Sequence, residues 1–67
     1  MIEITVNGSA QSHAAPLPLA QLLAAMDLAG KKIAVERNGA IVPRAAHAAT
    51  LLADGDRLEI VVAVGGG

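Results

Sequence analysis

Few side chains in this chain of 67 residues are equipped for chemistry, and local structure accounts for most of them. Asp54, Asp56 and Glu59 are close enough in sequence to suggest paired carboxylates for general acid and base work. Asp54 and Asp56, however, flank Gly55, where Asp is common because its carboxylate accepts bonds from nearby backbone amides. No hydroxyl or thiol nucleophile stands in a motif beside them, so they read as turn residues. His13 and His47 are the only imidazoles, one in each half of the chain, without a third ligand at metal-site spacing. Ser9, Ser12, Thr5 and Thr50 lie in no nucleophile-elbow or phosphate-loop context. With no cysteine there is no thiolate, no disulfide and no Cys-based metal site. No metal site and no enzyme active site are expected.

The C-terminal Gly65-Gly66-Gly67 differs in kind. It follows Ile60, Val61, Val62, Ala63 and Val64, the most strand-like run in the chain, and there all side chains stop. One reading is a frayed end. The other is a backbone thin enough to thread a narrow channel, since glycine has no Cβ to obstruct a close approach. Three extended residues reach about 10 Å, which would carry the terminal carboxylate of Gly67 into another protein's active site.

The elements that must position such a tail can be read from pattern. Ile2, Ile4 and Val6 alternate with Glu3, Thr5 and Asn7, a strand buried on one face, and Asn7-Gly8 follows as a two-residue hairpin signal. A more polar strand from Ser9 to about Ala14 should pair back along it. Beyond Pro16-Leu17-Pro18, the residues Leu19, Leu22, Leu23 and Met26 fall on one face of a helix. Pro18 suits its first turn, and Gly30 supplies a stop. Ile33 to Arg37 and Ala40 to Val42 form a second hairpin around Asn38-Gly39. Pro43 ends that ladder, leaving 43–53 as an irregular crossing with one helical turn near Ala45 to Ala48. A turn at Asp54-Gly55 precedes the last strand, in which Leu58, Ile60, Val62 and Val64 face the helix, and Arg57, Glu59, Val61 and Ala63 the other way.

The expected fold is α+β, a mixed sheet of four to five strands with one main helix on one face. The two most apolar strands, first and last, sit parallel at its centre, as in a β-grasp. The expectation is one domain over residues 1–67, with 64–67 as its tail. The apolar fraction is 54%, but fifteen of those residues are alanine, so the core is committed to folding. An internal pocket of roughly 300 Å³ or more is not expected. The 5 Lys and Arg are scattered against 6 Asp and Glu, and there are no aromatic rings, which argues against nucleic acid as a partner. No apolar run approaches the roughly 20 residues of a membrane helix, and no secretory signal is visible, so no membrane partner and a cytoplasmic location are expected.

Two stretches carry a family resemblance. Ile33 to Arg44, ending in Val42-Pro43-Arg44, and Leu52 to Gly67, with Asp54-Gly55-Asp56 and the final glycines, together resemble the ThiS family of thiamine-biosynthesis sulfur carriers. Length and strand order match along the whole chain, although Ser9 to Pro18 is richer in alanine and proline than expected. The resemblance implies a ubiquitin-like β-grasp fold and a protein co-substrate rather than an enzyme. An E1-like adenylyltransferase, using ATP and Mg²⁺, would adenylate the Gly67 carboxylate. A sulfur donor, a cysteine desulfurase or a persulfide protein, would then convert it to a thiocarboxylate for use by thiazole synthase. The chain itself would bind no cofactor. Gly65 and Gly66 would thread the partner's channel, and Val61, Ala63, Val64, Arg57 and Arg44 are the expected docking residues. Sulfur carriers for molybdopterin or another pathway, and ubiquitin-like protein modifiers, share the terminal diglycine and stand as alternatives.

Overall fold

The alternating first segment forms β1 (Ile2–Val6), with Ile2, Ile4 and Val6 buried, in a computed structural model that describes residues 1–63. Asn7 and Gly8 both take positive φ, +49° and +83°, which turns the chain in the twist-matched hairpin geometry and starts β2 (Ser9–His13). The strand ends at His13, a residue short of the expected Ala14. Asn38 and Gly39 repeat the device at +52° and +87° between β3 (Ile33–Arg37) and a β4 (Ala40–Ile41) of two residues. The last strand, β5 (Arg57–Val62), runs parallel to β1 and antiparallel to β3. The sheet order is β2-β1-β5-β3-β4, which puts the two apolar strands at the centre.

One face of this sheet is covered by α1 (Leu19–Ala25), whose Leu19, Leu22 and Leu23 pack with Ile4, Val35, Leu58 and Ile60. The arrangement is a β-grasp. Leu17 and Leu52 complete the core from the two loops, and Leu52 is fully buried although nothing periodic in the sequence marks it.

Both ends of α1 differ from the sequence expectation. Pro18 is its N-cap, in extended conformation, rather than a first-turn residue, and no side chain caps the helix. The crossing segment does so instead: the Leu19 and Ala20 amides donate to the carbonyls of Thr50 and His47 at 2.8 and 3.1 Å. At the other end Gly30 is not the stop. Asp27 takes the left-handed position, φ +65°, and the Asp27 and Leu28 amides donate to the carbonyls of Ala24 and Leu23, a Schellman motif built without glycine. The helical turn of the crossing is 3₁₀ and spans Arg44–Ala46, starting one residue earlier and ending two earlier than expected.

Candidate functional site

The sequence places the candidate site at the end of β5, and the strand is built in two parts. Its base is gripped on both edges. The Thr5 and Asn7 amides donate to the carbonyls of Asp56 and Leu58 at 2.9 Å, and the Asn38 amide donates to Arg57 at 2.8 Å. The side chains of the two hairpin asparagines extend this grip. The Ile60 amide donates to Asn7 Oδ1 at 2.7 Å while Asn7 Nδ2 donates to the Ile60 carbonyl at 3.1 Å, so one side-chain amide replaces a strand residue that β1 no longer supplies. Asn38 Oδ1 accepts from the Arg57 amide at 2.9 Å.

The acidic cluster belongs to this anchor. Asp56 is buried, and its carboxylate accepts from the Ala53 amide, Arg37 Nε and Asn38 Nδ2 at 2.9, 2.9 and 3.1 Å. Burial alone would raise its pKa. The bonds from Ala53, Asn38 and Arg37, together with the Arg37 charge, outweigh that and hold the carboxyl below the usual range. Asp54 Oδ1 accepts the Glu3 amide at 2.7 Å, and the Gly55 amide donates to the Glu3 carbonyl at 2.8 Å. The reading of Asp54 and Asp56 as turn residues is correct in its main point, and both also tie β1 to the start of β5. Glu59 lies on the other face, opposite Glu36.

Beyond Ile60 only β3 remains beside the strand. Val61 pairs with Ala34 and Val62 with Ile33, and the Ala63 amide donates to the Lys32 carbonyl at 2.9 Å. Val61 is 64% exposed on the open face of the sheet, and Ala63 is exposed as well. Val62, expected to face the helix, is on the helix side and 39% exposed. The fully buried layer ends one pair earlier, at Ile60 and Val35, and Val62 is only partly covered.

The open face holds more apolar surface than the sequence reading assigned to it. Ile41 is 64% exposed and pairs with Glu36, which puts it on the same face as Ala34 and Val61. The two-residue Asn38-Gly39 turn fixes that register and is the signal that could have found Ile41. Arg57 is exposed on this face too. Arg44 is not: it lies on the helix side, its Nη2 donating to the Lys31 carbonyl at 3.4 Å, and the structure does not bring it to Val61. Val64, Gly65, Gly66 and Gly67 lie outside the described residues.

The two histidines are separate. His13 meets Gln11 on β2, whereas His47 is buried with Nε2 3.1 Å from the Val42 carbonyl, which the ring N–H donates to. Among the described residues, no three His, Cys, Asp or Glu side chains gather in a group able to hold a metal ion. No helix there is long and apolar enough to cross a membrane.

Residues 2–67 match the model of the ThiS family. The crystal structure of a thiamine biosynthesis protein (ThiS) from Geobacter metallireducens is 35% identical and superposes with a TM-score of 0.82, covering 98% of this chain and 100% of that one. A solution structure of a thiamine biosynthesis protein from the same organism gives 36% and 0.79, over 98% and 88%. A thiazole synthase of Paramagnetospirillum magneticum is 38% identical over 66 residues, 98% of this chain. This chain spans only 20% of that relative, and the same share of a thiazole synthase from Magnetococcus marinus. An uncharacterized protein, ycf40, of Pyropia yezoensis is 36% identical over 98% of this chain and 93% of its own length.

Proposed function

The chain belongs to the ThiS family, and we propose that it carries sulfur for thiamine biosynthesis on the carboxylate of Gly67. The observation that carries this reading is the anchoring of β5: a central strand held on both edges up to Ile60 leads through an exposed apolar stem directly to the glycine triplet.

The chemistry follows from what a carboxylate lacks. It is resonance-stabilised and has no leaving group, so an E1-like partner using ATP and Mg²⁺ joins it to AMP and releases pyrophosphate. The terminal sulfur of a donor's persulfide then displaces AMP, and a partner thiol reduces the resulting acyl disulfide to the thiocarboxylate. That sulfur goes to thiazole synthase, a partner that the thiazole synthase relatives favour. The partners supply the catalytic groups. This chain supplies the handle, with Val61 and Ala63 as the first contacts, Ala34 and Ile41 extending the patch and Arg57 beside it. Gly65 and Gly66 pass the channel because they bring no Cβ to it.

Intact mass is the test. Incubation with an E1-like enzyme of thiamine biosynthesis, ATP, Mg²⁺ and a persulfide donor should add the mass of one sulfur less one oxygen, and the label should then leave with thiazole synthase and its substrate. A chain ending at Gly65 should gain nothing. An unchanged mass in the full chain, or isopeptide adducts on lysines in its place, would sink the carrier reading. A thiocarboxylate that only an acceptor of another pathway consumes would overturn its thiazole branch.

A further inference from the structure

A second exposed apolar feature lies on the opposite side of the sheet. Between α1, the turn that follows it and the 3₁₀ segment is a cleft of about 240 Å³ with a floor of Ala20, Leu23, Leu28 and Ile33. Lys31 and Arg44 stand on its rim, and no acidic residue lines it. Lys32 is next in the chain and also exposed, whereas Arg37 is bound to Asp56 and Arg57 is on the other face. Lys31 and Arg44 are thus the charges that the cleft itself presents.

The walls are fixed in advance. His47 donates its ring N–H to the Val42 carbonyl and accepts the Ala20 amide on its own carbonyl, which clamps the 3₁₀ segment to the start of α1. The Schellman turn holds Leu28 against the core. Arg44 spends one Nη on a long 3.4 Å contact and keeps the rest of its five donors for a ligand. A guanidinium placed this way takes a carboxylate by two parallel bonds.

The volume is below the roughly 300–1,000 Å³ of small-molecule sites and leaves room to seat an aliphatic side chain of a docked segment. We infer that this cleft is a second docking site, which takes an acidic segment of a partner protein by seating one aliphatic side chain between Leu23, Leu28 and Ile33 and pairing flanking carboxylates with Arg44 and Lys31. The site does not depend on the fate of the C-terminal carboxylate. It lies at the same end of the sheet as Val61 but on the other face, since Ile33 and Ala34 point to opposite sides. A protein gripping the Val61 face therefore leaves the cleft open, and two partners can hold the chain at once.

The test is an amide chemical-shift titration of the full-length ¹⁵N-labelled protein with an acetylated, amidated peptide Glu-Glu-Leu-Glu-Glu. Saturable shifts should be confined to Leu23, to 28–33 and to 44–48, and raising NaCl to about 0.5 M should weaken binding by about fivefold. Arg44→Gln, and independently Ala48→Glu at the exposed rim, should each weaken it by about tenfold, while their spectra without peptide report an intact fold. Peptides Gln-Gln-Leu-Gln-Gln and Glu-Glu-Gly-Glu-Glu should bind far less. Shifts that do not saturate, shifts centred on Ala34 and Val61, or equal binding of either control peptide would each overturn the proposal.

Discussion

From Asp56 to Ile60 the last strand is held on both edges, whereas from Val61 to Ala63 it is held on one. The first stretch buries Asp56, Leu58 and Ile60 and receives two asparagine side chains. The second exposes two valines and keeps β3 alone as its neighbour. Five residues of anchor and three of exposed stem belong to one continuous run, 56–63, built on β5, and the change falls where β1 turns away at Asn7. The difference teaches how a very small fold divides one strand: the scaffold fixes its first part internally, then leaves apolar surface uncovered over its last residues.

The largest effect is expected from truncating the anchor's core. Leu58→Ala removes a side chain that is 1% exposed and should destabilise the fold by about 2–5 kcal/mol, measured by urea denaturation. In a domain of this size that is a large share of the total stability. A loss below about 1 kcal/mol would show that the base is no better packed than the stem.

Asp56→Asn should cost about 2 kcal/mol at neutral pH, because Arg37 loses its charged partner and one of three donors faces an amide that cannot accept it. The sign with pH is fixed. The native carboxyl titrates below its unfolded value, near 3.9, so its stabilisation is full above that value and is lost as pH falls through the native pKa. Denaturation curves of the two proteins should therefore converge between pH 5 and about 2. A gap independent of pH would assign the effect to shape rather than charge.

Asn7→Gly keeps the positive φ of the turn and removes only the amide that pairs with Ile60. The expected cost is about 1–2 kcal/mol. Hydrogen exchange sharpens the comparison further, because the Ile60 amide should lose protection while the backbone bond from Ala63 to Lys32 is kept. Unchanged exchange at Ile60 would mean that β3 alone holds the strand.

The fold was legible in the sequence because its strong signals agree. Period-two strands, two Asn-Gly turns and a leucine helix face leave little freedom; the central placement of β1 and β5 follows from their shared apolarity, and the long intervening chain lets them run parallel. What was not legible is contact at a distance. Asn7 and Asn38 announce turns, and nothing in their neighbourhood says that their side chains also serve β5. The helix is capped by carbonyls of Thr50 and His47 rather than by a residue beside it, and Leu52 is buried without any periodicity. Val62 fits the alternation and is exposed all the same, since alternation assigns a face but not how far the cover extends. On the open apolar face, Val61 and Ala63 were readable from alternation, and Ile41 needed the hairpin register. Arg44 stood beside them as a docking residue, and its side of the sheet is visible only in three dimensions.

The smallest effect on stability, and the most direct test of the two-part strand, comes from Val61→Ser. Val61 is 64% exposed and its cross-strand neighbour is only Ala34, so the change should shift the unfolding free energy by no more than about 0.5 kcal/mol. If Val61 is the first contact of an activating partner, affinity for that partner should fall by about tenfold, the range of a truncated interface anchor. Ala10→Ser, on the same face but at the far β2 edge, should change neither quantity. Titrating the three proteins against the E1-like enzyme by calorimetry, beside matched urea melts, separates the outcomes. Lost stability in the Val61 variant would make the stem part of the anchor. Unaltered binding would move the docking surface away from it.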